Sequence, residues 1–105
     1  MSHSVTFLGA ARRDLDELAE YIALQAGPVV AARYLSRILA TCAGLADFPY
    51  QSTARDDLGP GLRSYGWRKQ VTIVFRVVDD QVEIGAVLAG GRNVKGTIGT
   101  RDFDA

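Results

Sequence analysis

Histidine, cysteine and tryptophan each occur once in this chain, proline three times, and neither sign of charge dominates, with 12 basic against 12 acidic residues. Cys42 alone allows no intramolecular disulfide, and its apolar neighbours read as packing rather than catalysis. The one histidine, His3, lies ahead of the first strand and reads as a solvated terminal residue. Neither a metal-ligand cluster nor a Ser/His/Asp set can be picked out, and no glycine loop fits a phosphate cradle. Gly59-Pro60-Gly61 reads as a turn and Gly90-Gly91 as a strand end, so no cofactor is expected. Balanced charge argues against a general nucleic-acid binder, which needs a basic excess to displace counterions. No apolar run approaches the ~18 residues of a membrane span and no signal peptide is seen, so a cytoplasmic protein with no membrane partner is the expectation.

What is present suits one compact domain, residues 1–105, with 48% hydrophobic residues. A chain of this length buries roughly two-thirds of its unfolded surface, enough for one core but not for a deep pocket. The neutral total hides a pattern. Ten of the 12 basic residues are arginine, and the stretch 61–78 holds Arg63, Arg68, Lys69 and Arg76 without an acid. The first helical segment leans the other way through Asp14, Asp16, Glu17 and Glu20. A local positive sheet on a neutral protein suits an acidic protein partner or a defined phosphate site.

Along the chain, Val5-Thr6-Phe7-Leu8 is a short β-prone run. Ala11, Leu15, Leu18, Ile22 and Ala26 then recur at helical spacing, and Gly27-Pro28 ends that helix and starts the next. Ala31, Leu35, Ile38, Cys42 and Leu45 form the seam of a second helix over about 29–47, closed by Phe48-Pro49. The short link makes the two an antiparallel hairpin. Residues 50–60 read as a loop. From Gly61 the period changes to two, with strands over about 62–67, 69–78 and 81–88 joined through Asp79-Asp80. One face should carry Val71, Ile73, Phe75 and Val77, and in the last strand Val82, Ile84, Ala86 and Leu88 should all face the core. The opposite faces are also apolar, so a partner or the C-terminal tail should cover part of them. The tail, 93–105, is either flexible or an edge strand. The order is β-α-α-β-β-β, an α+β fold with an antiparallel sheet and an N-terminal helical hairpin on one face.

Four segments in this order resemble the ParE branch of the RelE/ParE superfamily of toxins from bacterial type II toxin–antitoxin systems. They are Ala11-Arg12-Arg13-Asp14-Leu15, Leu45-Ala46-Asp47-Phe48-Pro49, Leu58-Gly59-Pro60-Gly61-Leu62-Arg63 and Val87-Leu88-Ala89-Gly90-Gly91-Arg92. The resemblance spans about residues 5–92. It implies a toxin neutralised by a cognate ParD-like antitoxin, as in plasmid-stabilisation systems, in a homodimer or a toxin–antitoxin hetero-oligomer. ParE-like members are described as inhibitors of DNA gyrase; RelE-like members instead cut messenger RNA in the ribosome.

Cutting RNA through its 2′-hydroxyl needs a base, an acid and cations for the phosphorane charge. Where some RelE-like enzymes carry a strand arginine this chain has Thr72, and their terminal histidine or tyrosine falls near Ala89–Gly91, which cannot move a proton. That favours gyrase binding, with RelE-like cleavage by Arg63, Tyr65 and Arg76 or an inactive antitoxin-binding member as alternatives. The residues singled out for target or antitoxin binding are Arg63, Tyr65, Trp67, Arg76 and Arg92. Each has a plain reading beside it: an ion pair of Arg63 with Asp56 or Asp57, packing of Trp67 under the hairpin, a solvated strand position for Arg76, and water for Arg92.

Overall fold

The computed structural model describes residues 3–90, 93–101 and 103. The elements are β1 (Ser4–Phe7), α1 (Gly9–Ala26), α2 (Pro28–Asp47), a 3-10 turn (Pro49–Gln51), β2 (Thr53–Ala54), β3 (Leu62–Trp67), β4 (Val71–Val78), β5 (Gln81–Ala89) and α3 (Val94–Gly99). The expected α+β architecture with a helical hairpin on one face of a sheet is what forms. The sheet is mixed rather than antiparallel, in the order β1-β5-β4-β3-β2, because β1 runs parallel to β5. A parallel neighbour needs a long crossover, and everything from α1 to β4 supplies it. The start of the chain is tied down by two backbone bonds, His3 N–H to Ala46 C=O and Ser4 N–H to Asp80 C=O. His3 is half-buried and also sets its ring Nδ1 3.2 Å from Ala46 O, so it helps close the end of α2 rather than standing free in solvent.

Gly27 joins the helices at φ +93°, a conformation that a β-carbon disfavours, and Pro28 opens α2 with the φ a first turn wants. Ala31, Ile38, Cys42 and Leu45 are buried as their spacing predicts, while the α1 stripe runs out toward the tip, where Ala26 is exposed. By length and composition α2 could cross a bilayer; here its apolar stripe packs into the core on the sheet. Beneath the hairpin lie Val71, Ile73, Phe75, Val82, Ile84 and Val87. Burying a side chain of this kind contributes about 1.5–3 kcal/mol.

The alternation expected for β5 fails at Gly85. Val74 pairs with Ala86 but Phe75 pairs with Ile84, so Gly85 is an extra residue with no partner on β4. A bulge of this kind shifts the pleat by one. Val82 and Ile84 face the helices, whereas Ala86 and Leu88 turn to the opposite face and Val87 takes their place in the helix-side core. On the second face Leu62, Val74, Ala86 and Leu88 are covered by Ile98, Val94 and Phe103. The segment that left a flexible tail or an edge strand open thus contains a six-residue helix, capped by Asn93 Oδ1 accepting from the Gly96 amide. The expected 50–60 loop contains the 3-10 turn and β2, which pairs Thr53 with Ser64 and Ala54 with Arg63.

Candidate functional site

The arginines named from sequence fall on both faces of the sheet and do not converge. On the helix side of β3 stand Arg63, Tyr65 and Trp67. Arg63 Nε donates to Ser52 Oγ (2.7 Å), Nη2 donates to Ser52 O (2.8 Å), and the guanidinium rests 5.1 Å from the Tyr50 ring centre. The ion pair expected with Asp56 or Asp57 is absent; Asp57 is instead engaged by Arg55 at 2.9 Å. That hydrogen bond pulls the Asp57 carboxyl below its ordinary value and raises Arg55. Tyr65 is half-buried against the core. Trp67 is buried, as its packing reading predicts, with Tyr34 edge-on to it at 5.1 Å. Tyr34 donates its hydroxyl to Gln70 Oε1 at 2.9 Å, and burial raises its pKa, partly opposed by the Arg68 charge.

Arg76 lies on the opposite face. Its Nε meets Glu83 Oε1 at 2.7 Å, its Nη2 donates to Phe103 O at 3.0 Å, and the Phe103 ring centre is 5.8 Å from its guanidinium. It is therefore engaged by protein groups rather than solvated. Arg92 lies outside the described residues.

A polar centre that the sequence reading passed over sits at the bulge. Among the described residues Asp14 is the one buried polar or charged side chain, on the α1 stripe between Ala11 and Leu15. Its Oδ2 accepts from the Val87 amide at 2.9 Å, and both its oxygens accept from Arg101, Nη1 and Nη2 each at 2.7 Å. Arg101 Nη1 also donates to Gly85 O at 2.9 Å. The carboxylate hydrogen bond holds the Arg101 pKa above its usual value against the burial that lowers it. Phe103 closes the arrangement: a β-carbon on Gly85 would lie 2.1 Å from its ring. A carboxylate standing in an apolar helical stripe was the available signal for this centre; nothing in the sequence pointed to Arg101.

An open cleft of about 520 Å³ borders this centre, lined by Arg13, Asp14, Glu17, Thr100, Arg101 and Phe103 among others. Among the described residues no group of three His, Cys, Asp or Glu side chains is placed to hold a metal ion. Burial pushes the Cys42 thiol up to about 12, which leaves it protonated and inert at neutral pH.

The described residues thus form a small α+β domain with a helical hairpin across one sheet face. The sequence matches the family described as ParE toxin of the type II toxin–antitoxin system parDE over residues 5–94, and the chain belongs to that family. It is a type II toxin–antitoxin toxin of the ParE kind. Its fold is similar to that in a chromosomal ParDE toxin–antitoxin system from P. aeruginosa, with a TM-score of 0.74, 21% identity, and 85% of this chain and 97% of that chain covered. It is also similar to the toxin–antitoxin complex RelBE2 from Mycobacterium tuberculosis, with a TM-score of 0.64, 23% identity, and 85% and 99% covered. No curated protein matches it.

Proposed function

We propose that this ParE-family toxin inhibits DNA gyrase by protein–protein contact in the cytoplasm and is held inactive by a ParD-like antitoxin. The observation that supports this reading over RNA cleavage is the split of the would-be catalytic set. Arg63 and Tyr65 stand on the helix side of β3, and Arg76 stands on the far face of β4 against Glu83 and Phe103. Three groups on opposite faces of one sheet cannot surround a single phosphate, so the geometry does not favour the ribonuclease alternative. Binding needs no such convergence. Arg63, Tyr65, Arg76 and Arg92 contribute to partner contact in this reading, and Trp67 contributes from within the core by fixing the residues of its own turn.

A side-by-side assay tests it. Purified toxin should block supercoiling by gyrase at concentrations that leave ribosome-bound message intact, and equimolar antitoxin should restore supercoiling. Message cleavage with unimpaired gyrase would refute the reading. Loss of both activities, with no slowing of growth on induction, would mark an inactive antitoxin-binding member.

A further inference from the structure

The two turns that flank β4 carry opposite charge. The β4–β5 turn carries Asp79 and Asp80, and α2 ends at Asp47 beside it, since Ser4 bonds Asp80 while His3 bonds Ala46. On α1, Asp14 accepts from the Val87 amide of β5, and Glu17 lines a groove with Val87 and Gly90, whose amide bonds Gln70 O of the β3–β4 turn. The β3–β4 turn, at the opposite end of β4 from Asp79 and Asp80, presents Arg68 and Lys69. Tyr34 docks α2 on that turn through Trp67 and Gln70. Helical geometry puts Arg33 and Arg37, one turn apart or about 6 Å along the axis, together on the flank of α2 beside Tyr34. Arg33, Arg37, Arg68 and Lys69 are all exposed, and none makes an ion pair with a described residue.

The turn is built at a cost that its fold does not require. Arg68 and Lys69 both have left-handed φ, +52° and +58°, in a turn closed by Gln70 N–H to Trp67 O at 2.9 Å. Asparagine and glycine are the residues that suit such a pair. Two adjacent cations add repulsion to the backbone strain. Arg68 is held over the Trp67 ring at 5.0 Å, and Trp67 is itself fixed by Tyr34, so the charge is presented from a stiff platform.

We infer that this basic band, Arg37–Arg33–Arg68–Lys69, docks the phosphodiester backbone of a nucleic acid. Four exposed cations without an ion-pair partner among the described residues are complementary in charge to a polyanion. Of the band's two rings, Trp67 is buried and Tyr34 is half-buried edge-on against it, so neither stands free as an anchor for a protein interface. Four contacts give weak binding with no sequence preference, which a neutral protein can sustain at one end only. The inference stands apart from the gyrase reading and is tested without gyrase.

The experiment is fluorescence anisotropy of the purified chain with a short DNA duplex and, separately, a single-stranded RNA, from 50 to 200 mM salt. Binding should have a dissociation constant on the order of 10–100 µM near physiological salt, and with duplex the slope of log K against log salt should be about −3 to −4. Replacing Arg68→Asn together with Lys69→Gly suits the turn and should melt no lower than the parent, yet weaken binding about tenfold and cut the slope by about 2. Lys95→Gln, on α3, should leave binding unchanged. Preference for duplex or for RNA would name the source of the backbone. No salt-dependent binding, binding untouched by the double replacement, or tighter binding of a poly-glutamate peptide than of either nucleic acid would overturn the inference; the last would assign the band to an acidic protein.

Discussion

The two faces of the sheet are held by different means. Under the helical hairpin, eleven buried residues form one continuous apolar cluster, from Ala11 and Ile38 to Phe75 and Ile84. On the other face five of the described residues are buried, and the covering element is a six-residue helix too short to stand alone. What fastens that cover is polar: Asp14 reaches through the bulge from α1 to grip Arg101 and the Val87 amide. A small domain with limited apolar area on one side can thus be closed by a few well-satisfied charges, but such a closure is all-or-none. Removing one member leaves another buried and unpaired.

That contrast can be broken from either side. Phe75→Ala removes the largest fully buried side chain of the helix face and should cost about 3–5 kcal/mol, read as a lower urea midpoint for the whole domain. Asp14→Ala should cost about 3 kcal/mol, since it strands both Arg101 and the Val87 amide. Its effect should be coupled to that of Arg101→Ala, so that the double replacement costs clearly less than the sum in a denaturation cycle. Independent, additive losses would show that the pair does not act as a unit.

Gly85→Ala sharpens the contrast further. The new methyl group displaces the Phe103 ring, the far end of a side chain that can rotate aside, so the cost should be about 1–2 kcal/mol. Hydrogen exchange should speed up in 94–101 while α2 and β4 stay protected; uniform loss of protection would contradict a separable second face. The smallest effect belongs to Cys42. With its thiol raised to about 12, the protonated form is favoured by folding, so its contribution is intact below the ordinary thiol pKa and declines as pH rises toward 12. At pH 8 the folded protein should resist alkylation by iodoacetamide, and urea should release the thiol.

The helix-face half of the molecule could be read from periodicity because one stripe on each helix and one face of each strand end in the same core. Val71, Ile73 and Phe75 lie where alternation puts them. Reading failed where one residue changed the phase. Gly85 looks like an ordinary small strand residue, yet as a bulge it sends Ala86 and Leu88 to the far face. The parallel β1–β5 pairing leaves no local mark, since it joins residues nearly eighty positions apart, Ser4 with Gln81. The role of Arg101 was hidden for the same reason: its partner is 87 residues away. Arg63 and Arg76 were legible as cations on a sheet, but their opposite orientations followed only from the register of β3 on β4.

In the proposed function the toxin grips gyrase without itself catalysing a reaction. Size-exclusion chromatography of purified toxin with gyrase, in the absence of DNA and nucleotide, tests that most directly. The two should co-elute, and antitoxin added first should abolish the co-elution. Separate elution, under conditions where the same toxin preparation arrests growth and cuts message, would contradict it.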